Sequence, residues 1–296
     1  MESSESHPPS ASTIPTPLQS VGLVAAAILV LILAHALFQV SVATLFFDGD
    51  QRAQMGDMEL SLFLNDPAWI VLGTAVPHLI LGAALVALVI RRRMPLDEVL
   101  PLRVPGPLSL IGALVVVVGM TPLADAVYGA VSRLVNTEGV IEASVILERA
   151  LAGAGPVQLV GVIIGFAVVP ALVEESLFRG VVTAAHRRSF WGALLAPAVL
   201  FGLTHMEPAQ VAGTMVLGIA FGLARLFSGS LFTAIFAHAV YNTIVIVTAH
   251  MNHEGLDALP STATVVGGIL LALVGVFLLP MGRTRPPTPA PQAFDD

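Results

Sequence analysis

Residues 156–186 read PVQLVGVIIGFAVVPALVEESLFRGVVTAAH, and the fold turns on how that stretch is read. It is longer than the roughly 20 apolar residues needed to cross about 30 Å of hydrocarbon. Yet it contains Glu174, Glu175 and Arg179. A carboxylate at mid-membrane is costly and by default marks a functional site. Adjacent residues on an α-helix point about 100° apart, so the two carboxylates are not expected to face one site. Glu175 and Arg179 are spaced i,i+4, the favourable order for an ion pair along one face. Glu174 then has no local partner and is the freer carboxylate. Pro170, one turn earlier, lacks a backbone N–H and is expected to break or bend the helix beside Glu174. Irregular backbone at that depth is tolerated only where it is buried in protein or lines a cavity.

The rest of the chain agrees with a membrane reading. Of its 296 residues, 56% are hydrophobic and 11% charged, against about 25% charged in a soluble domain. With a mean hydropathy of +0.88, this excludes an ordinary soluble enzyme and a disordered chain alike. A net charge of -7 gives no basic surface for nucleic acid. Every basic residue is Arg. Cysteine is absent, which removes disulfides, zinc–thiolate sites, iron–sulfur clusters and cysteine nucleophiles.

Seven further apolar segments qualify or nearly qualify as spans: Leu18–Phe47, Ala68–Ile90, Pro107–Val127, Phe190–Thr204, Ala209–Phe227, Ser230–Ala249 and Thr262–Met281. The alternation expected of barrel strands is missing. The expected fold is all-α: a polytopic membrane protein of about eight transmembrane helices with both termini cytoplasmic. Arg91, Arg92, Arg93, Arg103, Arg187, Arg188, Arg225, Arg283 and Arg285 then fall on the cytoplasmic side. Asp48, Asp50, Asp57, Glu59, Asp66, Glu138, Glu142, Glu148, Glu254 and Asp257 fall opposite, with Arg52, Arg133 and Arg149 as exceptions. Residues 1–17 and 282–296 are proline-rich and read as disordered cytoplasmic tails flanking a transmembrane domain over 18–281.

Two more polar pairs interrupt later spans. Phe201 and His205 are i,i+4 in FGLTH, and His238 and Asn242 are i,i+4 in HAVYN, so each pair presents one helix face. Counting inward from Arg187, Phe190 and Ser230 puts Glu174 about 20 Å deep, His205 about 22 Å, His238 about 12 Å and Asn242 about 18 Å. Four polar side chains on three spans are thus compatible with one level. Each has a plainer reading. The acids and Arg179 can form a structural ion cluster. A single membrane His or Asn is most often a helix–helix hydrogen bond; His35 and His78 fall in that class and receive no role. Asp125, His186, Glu207, His250, His253 and Glu254 read as interfacial or surface groups. Gly218 and Gly222 read as helix packing. The combination of Glu174, His205, His238 and Asn242 shifts the balance towards catalysis.

EESLFR at Glu174–Arg179, FGLTH at Phe201–His205 and HAVYN at His238–Asn242 resemble, in that order, the EExxxR, FxxxH and HxxxN motifs of the CPBP intramembrane proteases. That family contains type II CAAX prenyl proteases and bacterial Abi or bacteriocin-immunity proteins. The resemblance covers about Val157–Ala249. It implies endopeptidase chemistry in the membrane on a membrane-associated substrate, prenylated in the CAAX case. It makes Glu174 the general base, His205 its partner, and His238 with Asn242 the oxyanion stabilisers. Glu175, Arg179 and Phe201 would organise the site.

The residues suit that chemistry. Hydrolysis needs an activated water, donors for the oxyanion and a proton for the leaving amine. Donors fixed in place before reaction act most strongly in a water-poor cavity. There is no HExxH zinc motif. The metal-free reading is preferred, with a zinc on Glu174, His205 and His238 as the alternative. Two non-proteolytic readings stand beside it: a membrane scaffold or immunity protein, and a carrier that uses Glu174 as a proton site.

Overall fold

The computed structural model describes residues 13–47, 49–50, 66–135, 143–251 and 260–283. Regular structure among them is helical throughout. The helices are α1 (Pro17–Phe46), α2 (Pro67–Arg91), the single turn α3 (Leu96–Val99), α4 (Pro107–Ser132), α5 (Ala143–Leu151), α6 (Pro156–Ala185), α7 (Phe190–Leu203), α8 (Pro208–Ser228), α9 (Leu231–Met251) and α10 (Thr262–Leu278). A 3₁₀ turn at Leu279–Gly282 closes α10. Most of the acidic loop residues, with Arg52, His253, Arg285 and most of both tails, lie outside the described residues.

Helix starts follow local chemistry. Pro17, Pro67, Pro107, Pro156 and Pro208 each stand at the first helical position, where the missing N–H would have had no partner. Thr16, Asp66, Ser189, Glu207 and Ser261 cap free N–H groups with their side chains. Glu207, expected as an interfacial group, is a cap accepting from Ala209 N and Gln210 N.

Among the described residues, 7 helices are long and apolar enough to span a bilayer. The expected fifth span is α7, whose 14 residues reach only about 21 Å. The chain is an integral, multi-pass, all-α membrane protein. Large apolar side chains such as Leu33 and Leu37 on α1, and Leu270 and Phe277 on α10, face outward as lipid contact requires. Asp125, placed at a span end from sequence, lies within α4, which continues to Ser132.

The arginine-rich segments gather at one end. Arg187 pairs with Glu98 of α3 at 3.4 Å. The loop before α4 bonds to the start of α9 through Leu231 N to Pro101 O, and to the end of α10 through Gly106 N to Gly282 O. Helix α4 is the central post, packed on α8 and on α10. Its contact with α10 runs through glycine: a Cβ on Gly119 would fall 2.5 Å from the Gly268 carbonyl oxygen. Helices α7 and α8 are antiparallel neighbours, with Gly218 against Ala198 and Gly222 against Leu194, the packing role read from their spacing.

Candidate active site

Helix α6 carries the two carboxylates and departs from regular α geometry on both sides of them. It is π-helical at Ile164–Val168 and again at Ser176–Val182. Pro170 explains the first departure. It has no N–H to offer the Phe166 carbonyl one turn back. Asn242 Nδ2 on α9 donates to that carbonyl instead, at 3.2 Å. The proline therefore widens the helix without ending it, and single π-turns of this kind favour functional sites.

Glu175 is wholly buried. Its Oε1 accepts from Arg179 Nη1 at 2.8 Å, the i,i+4 pair expected from spacing. Arg179 is equally buried, donates through Nη2 to the Gly218 carbonyl at 2.8 Å, and lies over the Phe201 and Phe221 rings. Phe201 is the hub of this layer, with the rings of Phe178, His205, Phe221 and His238 about it, their centroids 5.1–6.2 Å away. Phe221 stacks on His238 at 4.5 Å.

Glu174 is 18% exposed. It has no partner on its own helix, as expected, but it does not face away from Glu175, and two other helices supply it with partners. His238 bridges the two acids: its Nδ1 lies 2.9 Å from Glu175 Oε1, and its Nε2 lies 3.9 Å from Glu174 Oε2. One imidazole, presenting a nitrogen on either side, spans the angle that separates adjacent helix residues. The second partner is His78 of α2, whose Nε2 stands 3.1 Å from Glu174 Oε1. His78, read from sequence as a helix–helix hydrogen bond with no further role, makes such a bond, and its partner is the candidate base. His35 keeps the packing role, bonding to the Gly73 carbonyl at 3.1 Å.

Hydrogen accounting fixes what these imidazoles can do. His78 Nδ1 faces the Thr74 carbonyl at 2.7 Å, so it carries the proton there. The contact from His78 Nε2 to Glu174 Oε1 then needs one more proton, held by one partner or the other. His238 Nδ1 faces a carboxylate and is a donor, so its Nε2 donates only from the imidazolium. His205, in the turn that ends α7, gives Nδ1 to the Phe201 carbonyl at 3.1 Å, leaving Nε2 as an acceptor. Its ring packs on Phe201 at 5.1 Å, beside the His238 ring on the same phenyl group.

The structure thus gathers Glu174, Glu175, Arg179, Phe201, His205 and His238 in one layer, and adds His78. Asn242 stands one turn beyond His238, with one amide N–H used and a second free. A zinc on Glu174, His205 and His238 would need three converging donors. Among the described residues no three His, Asp or Glu side chains are placed to hold a metal. As arranged, Glu174 Oε1 and His238 Nδ1 are bonded to His78 and Glu175, which leaves Glu174 Oε2, His205 Nε2 and His238 Nε2 as the atoms a zinc would take.

Residues 156–244 match the family model described as type II CAAX prenyl endopeptidase, Rce1-like. The match runs from the start of α6 into α9 and includes each of these residues except His78. Comparison with curated proteins and with solved structures gives no match.

Proposed function

We propose that the chain is an intramembrane endopeptidase that hydrolyses a peptide bond of a membrane-associated substrate, with Glu174 as the base. The observation that carries this reading is a partly exposed carboxylate inside a membrane helix, hydrogen-bonded by His78 and faced by His238, with His205 packed on the same Phe201 ring as His238.

His78 holds Oε1 and leaves Oε2 for a water. Ionised Glu174 takes a proton from that water, assisted by the acceptor Nε2 of His205, and the hydroxide attacks the scissile carbonyl carbon. The free N–H of Asn242 donates to the tetrahedral oxyanion, joined by Nε2–H of a His238 that enters the reaction already as the imidazolium, paired with Glu175. The proton on Glu174 passes to the departing amine, so water is divided between the new carboxyl and the new amino end. Glu175 and Arg179 hold His238 in register. The reaction is metal-free in this reading. The description of the matching family makes a prenylated CAAX-type peptide the first substrate to try.

The test compares the protein termini of the membrane proteome in cells carrying wild type or Glu174→Gln. A set of termini present only with wild type is expected. Identical termini, with both proteins folded in the membrane, would leave a non-catalytic scaffold as the better reading.

A further inference from the structure

A second charged cluster lies at the arginine-rich end, away from the two acids. Three segments distant in sequence are tied together there. The Ser230 hydroxyl donates to the Arg103 carbonyl, and Gly106 N donates to Gly282 O at 3.0 Å. A Cβ on Gly282 would lie 2.5 Å from Ser109 N, so the end of α10 is pressed against the start of α4. Ser230 follows α8 by two residues and the Leu279–Gly282 turn packs on α8, so Arg103 and Arg283 are both brought to the end of α8 whose last turn carries Arg225.

None of the three has a carboxylate within ion-pair distance among the described residues; Glu98, on the same face, pairs with Arg187. Arg225 also holds its Nε buried with no acceptor. Three converging like charges and an unmet buried N–H are both unfavourable unless an anion completes the group. Guanidinium forks match the paired oxygens of a phosphate, which accepts several such bonds at once. The site also lies at the end of a spanning helix, where lipid head groups stand, and basic pockets between membrane helices favour anionic ones.

We infer that Arg103, Arg225 and Arg283 form a binding site for a phosphate group, supplied by the head group of an anionic lipid. The site is independent of the protease reading. The lipid would tie the ends of α4, α8 and α10 together.

The test uses full-length protein in detergent and native mass spectrometry with phosphatidylglycerol, phosphatidylcholine and inorganic phosphate as probes. Wild type should retain phosphatidylglycerol over phosphatidylcholine. The double variant Arg103→Gln/Arg283→Gln, which leaves the more central Arg225 in place, should bind it more weakly by about fivefold for each arginine removed. Lipid retention unaffected by millimolar phosphate assigns the lipid as source; displacement by phosphate assigns the free anion. Equal retention by wild type and by a double variant of unchanged helicity overturns the proposal.

Discussion

Two helix crossings in this molecule solve one problem by opposite means. Hydrocarbon surrounds both, so no hydrophobic gain draws helix to helix. Where α4 meets α10, Gly112 and Gly119 face Gly275 and Gly268, and the backbones touch. A single side-chain bond, Ser109 Oγ to the Leu279 carbonyl at 2.6 Å, joins α4 to the turn closing α10. Where α6 meets α9, His238 lies between two carboxylates and Asn242 bonds to an exposed carbonyl. The first crossing is held by shape and can do no chemistry. The second keeps buried charge, which a helix pair does not need for packing. The difference separates scaffold from site more sharply than burial does, because both crossings are buried.

Four substitutions probe that division, from the largest effect down. Glu174→Gln keeps the shape of the α6–α9 crossing and removes its base; cleavage of a substrate should fall by about 10⁴-fold, the upper range for a positioned acid–base group. Undiminished turnover by the purified variant would end the base assignment. Glu175→Gln strands the Arg179 cation in a fully buried place and should cost about 3–5 kcal/mol of stability, read as a lower Tm in detergent. A Tm equal to wild type would show the pair to be dispensable. His78→Ala removes the partner of Glu174 Oε1 and should lower kcat by about 10–100-fold, the scale seen when an orienting hydrogen bond is lost. If His78 positions the proposed base, the pH profile of kcat should move as well, with recovery in part by His78→Gln; a change in KM alone would argue for mere packing. Gly119→Ala should destabilise by about 1–3 kcal/mol through overpacking, with cleavage per folded molecule unchanged. Loss of turnover without loss of Tm would blur the two crossings into one.

Much of this was legible in the sequence. Span limits read from hydropathy agree with the helices to within a residue or two in most cases, because length and apolar content are all the bilayer demands. The i,i+4 pair of Glu175 and Arg179 was legible because it is local. Partners across helices were less so. His78 lies on an apolar span 96 residues from Glu174, and no motif links them. One signal existed: His78 is as far from Arg91 as Glu174 is from Arg187, so both sit at one depth. The shallow depth counted for His238 came from taking Ser230 as a surface residue. Ser230 is wholly buried beneath the 101–106 loop, so α9 starts lower in the membrane than the count assumed. The π-turns could not be read from spacing, since Pro170 signals a lost bond but not whether the helix bends or widens.

Helix α7 ends at Leu203, and the chain turns through Thr204 and His205 to Met206, whose φ of 59° is left-handed. Its reach of about 21 Å leaves roughly a third of a 30 Å hydrocarbon layer without a matching wall beside it. Lipid next to so short a wall thins or admits water, at a cost of fractions of a kcal/mol per Å. In the proposed reaction each bond hydrolysed would consume one water, which would have to reach Glu174 inside the membrane. His205 stands at the lip of the shortfall. The length of one helix would thus act as a hydrophobic mismatch built into the protein, thinning the bilayer on the side where His205 stands.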